Sequence, residues 1–383
     1  MSGGVDSSVA ASLLRDAGYE CVGAFIRVGA HAAEAEATCE VAGGAAPRRL
    51  RQGCCSAVDA ADARAVAGRL GIPFYALNFE GSFERIIDYF VDEYVHARTP
   101  NPCVMCNIDI KFGRLLRYAD MLDAEFVATG HYARVLRDGD APRLARSLNY
   151  EKDQSYVLFG IRRGDLSRCL FPLGQMRDKR DVRRIAAGLG LRVHDKPDSQ
   201  EICFVPDNDY RSLVRRRRPQ SQRPGDVVDS AGRVLGTHDG VAGFTIGQRR
   251  GLGIAAGKPL YVTKLDVVNN RVVVGERDEL RSRSLVAENV NWLVDRIDRP
   301  TPANIKIRHT HQPAAGRLTP GSNDQTVVGE FDEPQLAVTP GQAAVFYAGD
   351  VVLCGGWIRS AESGGVKRGG DSVGAADAKT VES

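Results

Sequence analysis

Two stretches of this chain carry residue types that do chemistry. The first is Ser2-Gly3-Gly4-Val5-Asp6-Ser7-Ser8, directly ahead of an apolar-periodic segment. Its two glycines let the backbone turn sharply and come close to a ligand. Amides left unpaired at a helix start, at the positive end of the dipole, then face an anion. Ser2 and Ser7 add hydroxyl donors. The string lacks the Gly-Lys-Ser/Thr of the common nucleotide loop, so it is a different phosphate cradle. The alternative is a Ser/Asp helix cap behind a flexible terminus, and the full string ahead of a well-patterned helix favours phosphate.

The second stretch is Arg98-Thr99-Pro100-Asn101-Pro102-Cys103-Val104-Met105-Cys106. Pro100 and Pro102 force extended backbone, so the two cysteines lie in or just after a stiff loop. Three chemistries are open to them. A zinc half-site needs a second pair, and adjacent Cys54-Cys55 is poorly spaced for one. Buried thiols can simply pack as small apolar groups. A thiolate stabilised at a helix start would instead be reactive. It would then need a redox partner, and Cys203 is a candidate, since it too sits in a polar turn feeding an apolar strand.

These residues must be positioned by something. Val9, Leu13, Leu14 and Ala17 predict one face of a helix after the loop, stopped by Gly18. Strands are predicted at 20–28, 72–79 and 125–135. Helices are predicted at 59–71, at 82–95 with Ser82 as N-cap and Phe83, Ile86, Ile87, Phe90, Val91 and Tyr94 inward, and at 112–124. This βα rhythm implies a doubly wound parallel sheet with ligands at the carboxyl ends of its strands. Residues 31–53, rich in Gly and Ala, read as a flexible loop. Beyond about residue 205 short strands with turn signals take over, Asn269-Asn270 marking one hairpin, which predicts a small β-rich middle and then an antiparallel barrel or sandwich. Residues 361–383 lack an apolar pattern and read as disordered.

Composition narrows the class. At 383 residues the chain is long enough for two or three domains. Its 43% hydrophobic and 26% charged content is that of a soluble globular protein, with no apolar run long enough to cross a membrane. A net charge of +3 is too small to establish a nucleic-acid partner by itself, though the run Arg215–Arg218 suits phosphates as well as it suits a solvated helix face. Nine cysteines and no room for a signal peptide ahead of a loop at residue 2 read as reduced thiols in the cytoplasm.

The loop resembles the PP-loop of N-type ATP pyrophosphatases, which split ATP between the α and β phosphates. A wider resemblance follows in chain order: SGGVDSS, LGIPFYALNF, RTPNPCVMCNIDIKFG, ATGHYAR, KDQSYVL, FPLG, DSQEICF, TIGQRRGLGI, IRH and PGQAAVFY. From residue 1 to about 358 the chain is similar to the tRNA 2-thiouridylases, which replace the 2-oxygen of the wobble uridine with sulfur. The resemblance implies an α/β fold: a PP-loop domain at 1–205, a small central tRNA-binding domain at 206–283, a C-terminal antiparallel β-barrel at 284–359 and a disordered tail at 360–383. It implies ATP and Mg2+, with the nucleotide held by Ser2, Gly3, Gly4, Val5, Asp6, Ser7, Ile26 and Gly130, and Asp6 near the metal. It implies Cys203 as carrier of a persulfide sulfur, and Cys106, rather than Cys103, as the first-attack or resolving nucleophile, leaving a Cys106–Cys203 disulfide to be reduced. Asn101, Pro102 and Cys103 would contact the target base. His131, Lys152, Asp153, Gln154, Arg308, His309 and Gln342 would contact tRNA. The implied partners are tRNAs for glutamate, lysine and glutamine and a persulfide donor (a cysteine desulfurase or relay protein), with the protein a monomer.

Members of that family place an apolar strand directly before the loop, and this chain has no residues for it. Either Met1 is an internal methionine of a longer product, which the intact later motifs favour, or the chain is a degenerate copy that binds tRNA with weak catalysis. Smaller departures are Ala97 and Glu201 for glycine, His309 for tyrosine and Cys354 for glycine. Another PP-loop adenylating enzyme, such as an amidotransferase, would give Cys106 and Cys203 no role. A zinc-stabilised RNA-binding protein would need a metal.

Overall fold

The computed structural model describes residues 1–28, 57–191, 193–196, 202–205 and 207–363. The loop predicted at 31–53, and Cys39, Cys54, Cys55 and Glu201, lie outside them. The first part alternates as expected. Helix α1 (Val5–Asp16) precedes β1 (Gly23–Arg27), then come α2 (Ala57–Leu70), β2 (Phe74–Asn78) and α3 (Glu80–Val95). Strands β1 and β2 pair in parallel, Gly23 opposite Phe74 through Arg27 opposite Asn78. A second parallel pair joins β3 (Val127–Ala128) to β6 (Cys169–Leu170). Between these lie the antiparallel β4 (Ala133–Leu136) and β5 (Arg143–Arg146), so the strand predicted at 125–135 is broken at the Thr129–Tyr132 turn.

Two helix details differ from the sequence reading. In α1 the buried face is Val5, Ser8, Val9 and Ser12, whereas Ala17 is exposed. The helix packs its first turn inward, against α2 and α6 (Lys179–Gly188), because the loop in front of it is itself held by protein. In α3 all six predicted apolar residues are buried, but Ser82 lies inside the helix. The first amides are met from further upstream, where the Asn78 side chain accepts from Glu80 N at 3.1 Å.

The end of α3 explains one departure from the family. Ala97 N donates to Tyr94 O and Arg98 N to Glu93 O, the paired bonds of a Schellman ending. That geometry places Ala97 at φ 56°, left-handed backbone that glycine adopts without strain. Ala97→Gly is therefore expected to stabilise the protein by roughly 0.5–1 kcal/mol, after the extra unfolded-state entropy of glycine is subtracted. An unchanged or lower urea midpoint would refute this.

A continuous helical rod follows. Asn101 caps α4 (Pro102–Met105), its side chain accepting from Val104 N at 3.3 Å, and the helix widens into a π-helix at Cys106–Arg114 before α5 (Leu115–Met121). The two cysteines thus sit in the first turns of a helix rather than in the loop.

The middle domain is a four-stranded sheet ordered β8 (Val234–His238), β7 (Gly225–Asp229), β10 (Arg271–Gly275), β9 (Tyr261–Asp266). The β9–β10 hairpin turns at Asn270, whose φ is 52°. Helix α7 (Tyr210–Arg217) joins this domain to α3 through a Tyr94–Tyr210 stack at 4.3 Å.

Six strands close the barrel: β11 (Arg281–Trp292), β12 (Thr301–Lys306), β13 (Ala314–Pro320), β14 (Thr326–Leu336), β15 (Ala343–Ala348) and β16 (Val351–Ser363), in the order β11-β14-β13-β12-β15-β16 with β16 returning to β11. Strand β15 reads Ala-Ala-Val-Phe-Tyr-Ala without polar alternation because both its faces are covered. Ala344 and Phe346 point into the barrel core, while Ala343, Val345 and Tyr347 pack against Val104, Tyr156 and Leu158 of the first domain. Residues 360–363 belong to β16, not to the expected tail, since they pair with β11 as far as Ser282 opposite Ser363. The rest of that tail lies outside the described residues.

Candidate functional site

The glycine-rich loop is tightly built. Gly3 has φ 68°, and a Cβ there would lie 2.3 Å from Asp59 O. Ser2 N donates to Ser7 Oγ at 3.1 Å, and the two hydroxyls are 3.1 Å apart. Gly4 caps α1, and no side chain caps that helix start, a geometry that can receive an anion. Gly130 closes the other side, where a Cβ would meet Ser7 N at 2.7 Å. Ile26 is half-buried on β1, and Val5 is buried beneath the loop.

Two lysines that the sequence reading missed complete this site. Lys179 Nζ lies 2.5 and 2.6 Å from the Asp6 carboxylate oxygens, and Tyr132 Oη donates to Asp6 at 2.9 Å. Lys196 Nζ binds Gly3 O at 3.1 Å, Asp59 at 2.6 Å and Asp62 at 3.0 Å, tying the loop to α2. Asp178 caps α6 through Arg180 N, which puts Lys179 in the first turn of that helix, but neither residue signals its distant partner in the sequence.

His131 connects this site to the helical rod. It is 9% exposed, with Thr129 Oγ1 at 2.7 Å from Nδ1 and Lys111 Nζ at 3.5 Å from Nε2. Burial, then the Lys111 charge, hold its pKa well below the usual histidine range. It is therefore a neutral imidazole at physiological pH, suited to hydrogen bonding rather than to drawing in phosphate by charge. Lys111 belongs to the π-helix that begins at Cys106, roughly 7 Å away along a helix axis.

Cys106 and Cys203 lie against the same apolar cluster. Both are half-buried and pack in the apolar cluster of Phe83, Phe90, Ile110 and Val205, with Phe204 edge-on to Phe90. Cys103 is exposed. Cys169 and Cys354 are unsuited to reaction, since burial pushes the first up to about 12 and the second higher still. Among the described residues no group of three or more His, Cys, Asp or Glu side chains is arranged to hold a metal.

Residues 1–207 match the family described as tRNA methyl transferase HUP domain, 212–276 the tRNA methyl transferase PRC-barrel domain, and 282–358 the aminomethyltransferase beta-barrel domain. The tRNA-specific 2-thiouridylase MnmA of Rhodopirellula baltica is 47% identical over 384 residues, spanning 94% of this chain and 95% of that protein. That of Geobacter metallireducens is 48% identical over 368 residues, spanning 95% and 97%. This chain belongs to the tRNA-specific 2-thiouridylase family.

The remaining residues that the 2-thiouridylase resemblance singles out lie at the rod's start, on the barrel and in the turn at 149–155. Asn101 and Pro102 are buried at the rod's start, and the barrel grips the strap before them: Gln342 Nε2 donates to Thr99 O at 3.2 Å and Pro100 O at 2.9 Å. Arg308 is half-buried, its Nη1 on Leu336 O at 3.1 Å, and His309 is exposed, its ring centre 6.4 Å from that of Tyr156. Lys152 is half-buried in the turn after Asn149. Gln154 is engaged with the backbone of Tyr132, accepting from its N at 2.9 Å. Asp153 is buried and accepts from Ser147 N at 3.0 Å and Ser155 Oγ at 2.9 Å, so it shapes the turn. The basic run divides: Arg217 and Arg218 pair with Glu84 and Asp92 of α3, whereas Arg215 and Arg216 are exposed.

Proposed function

We propose that this chain uses ATP to replace the 2-oxygen of the tRNA wobble uridine with sulfur. The observation that carries this reading is that Cys106 and Cys203, distant in sequence, pack against one apolar cluster, with Cys106 at the start of the π-helix whose Lys111 stands beside His131. A pyrimidine carbonyl oxygen is a poor leaving group. Its attack on the α-phosphorus of ATP releases pyrophosphate and makes it an adenylate ester. The loop, Gly130 and the uncapped start of α1 hold the phosphates. Magnesium would supply charge neutralisation of those phosphates. The donor set fits an ion carried mainly by phosphate, with the single carboxylate of Asp6 beside it, once Lys179 turns to the phosphates.

The terminal sulfur of a persulfide on Cys203 then attacks C2, and AMP departs with the former oxygen. Cys106 thiolate attacks Sγ of Cys203, the S–S bond to the base breaks, and 2-thiouridine leaves with the electron pair. A Cys106–Cys203 disulfide remains, which an external thiol reduces with two electrons. The enzyme on this reading is a cytoplasmic monomer served by a persulfide donor, acting on tRNAs for glutamate, lysine and glutamine. No described helix is long and apolar enough to cross a membrane.

Methyl transfer, the activity in the family descriptions, would give neither the phosphate loop nor the second thiol a role. The deciding experiment incubates the protein with unmodified glutamate tRNA, ATP and a persulfide donor, or with S-adenosylmethionine instead. Mass spectrometry is expected to find 2-thiouridine at the wobble position in the first reaction and no methylated base in the second. Methylation, or tRNA unchanged in both, would overturn the reading.

A further inference from the structure

At the seam between the first domain and the barrel rim, two cations, Arg146 and Lys306, stand near one carboxylate. The carboxylate is Asp153, 3% exposed and already accepting from Ser147 N, Ser155 N and Ser155 Oγ. Arg146 approaches it at 3.5 Å, yet its buried Nε has no hydrogen-bond acceptor. Lys306, the last residue of β12, is only 5% exposed, with its ammonium 5.8 Å from the centre of the Tyr156 ring. Among the described residues that ammonium makes no hydrogen bond or ion pair. Arg308 stands two residues further on, and His311 leaves a buried Nδ1 without a partner.

A buried cation with no acceptor destabilises a fold unless an anion reaches it. The surroundings say which kind. The Arg146 guanidinium carbon lies over the Tyr150 ring, 4.3 Å from its centre, and a guanidinium offers paired N–H donors to the oxygens of a phosphate. Tyr150, at 55% exposed, and the exposed ring of His309 flank the position as stacking surfaces for bases. Burial lowers the Lys306 pKa while Asp153 works against that shift. An arriving phosphate would add to the effect of Asp153 and hold the proton in place.

We propose that Lys306 and Arg146 form the seat of one backbone phosphate of the RNA substrate, a contact made by residues outside those the family resemblance implies. The proposal rests on the tRNA reading above. The test measures binding of unmodified tRNA to the whole protein by fluorescence anisotropy across a series of salt concentrations, together with thermal unfolding without tRNA. Lys306→Met is expected to weaken tRNA binding about tenfold and to lower the slope of log affinity against log salt by about one, while Tm stays level or rises. Lys306→Arg should keep the slope, and Lys306→Gln serves should the methionine variant fold poorly. Wild-type binding reproduced by both neutral variants with an unchanged slope would overturn the proposal. A wild-type protein that binds no tRNA would overturn the tRNA reading and the proposal with it.

Discussion

Cys203→Ser is expected to abolish 2-thiouridine formation, by at least about 10³-fold, while tRNA-dependent release of pyrophosphate from ATP continues. Serine keeps the size of the side chain but cannot carry a persulfide, so the adenylated base finds no sulfur. The companion variant separates two orders of events. With Cys106→Ser the persulfide can still attack C2, but nothing then cleaves the sulfur–sulfur bond joining base and protein. A covalent tRNA–protein adduct that dithiothreitol dissolves should therefore accumulate, visible as a shifted band on a denaturing gel. Loss of product without such an adduct would mean that Cys106 acts on the persulfide before the base is attacked. Wild-type product from either variant would remove both thiols from the chemistry, and leave their common cluster as mere packing.

Gly3→Ala is expected to weaken ATP binding by about 100-fold or more, read by calorimetry, and to leave tRNA affinity within a few-fold. Two penalties combine. The backbone at Gly3 is left-handed at φ 68°, which costs an alanine about 1 kcal/mol. The added Cβ would also lie 2.3 Å from Asp59 O, a backbone atom that can retreat only by moving α2 and releasing Lys196. Gly18→Ala isolates the first penalty, since its φ is 88° and nothing lies within 4 Å of its Cβ position. That control should lose stability but bind ATP normally. Equal ATP affinity in all three proteins would mean that the loop does not hold the nucleotide.

The parts of the fold legible in the sequence were those set by local pattern. The inward stripe of α3, from Phe83 to Tyr94, follows from 3.6-residue spacing, and the turn at Asn270 from its tolerance of positive φ. What depended on distant partners was not legible. The cap of α3 was misassigned to Ser82 because Asn78, at the end of β2, reaches its first amides instead. Lys179 and Lys196 belong to segments that nothing in their own composition ties to residues 3–6. Asp153 reads as a solvated turn residue, and only the arrival of Tyr347 and Ser155 around it makes it a buried knot. Likewise Cys106 and Cys203 were paired through family resemblance, and spacing alone could not have ranked Cys106 above Cys103.

Strands β4 and β5 of the first domain continue the barrel's sheet, with Val351 of β16 opposite Ala145. Their hydrogen-bond ladder and the two-faced burial of β15 mean that barrel and first domain lose their cores together. Melting one strips the other of a sheet neighbour and of an apolar face. The middle domain, whose ladder pairs only with itself, is a separate cooperative unit held by α7 and the contacts on α3. Three regions of sequence thus amount to two units of folding. The strap carrying Pro100, gripped by Gln342, belongs to the larger of them, so the register of the rod carrying Cys106 is inherited from barrel closure and not from the glycine-rich loop.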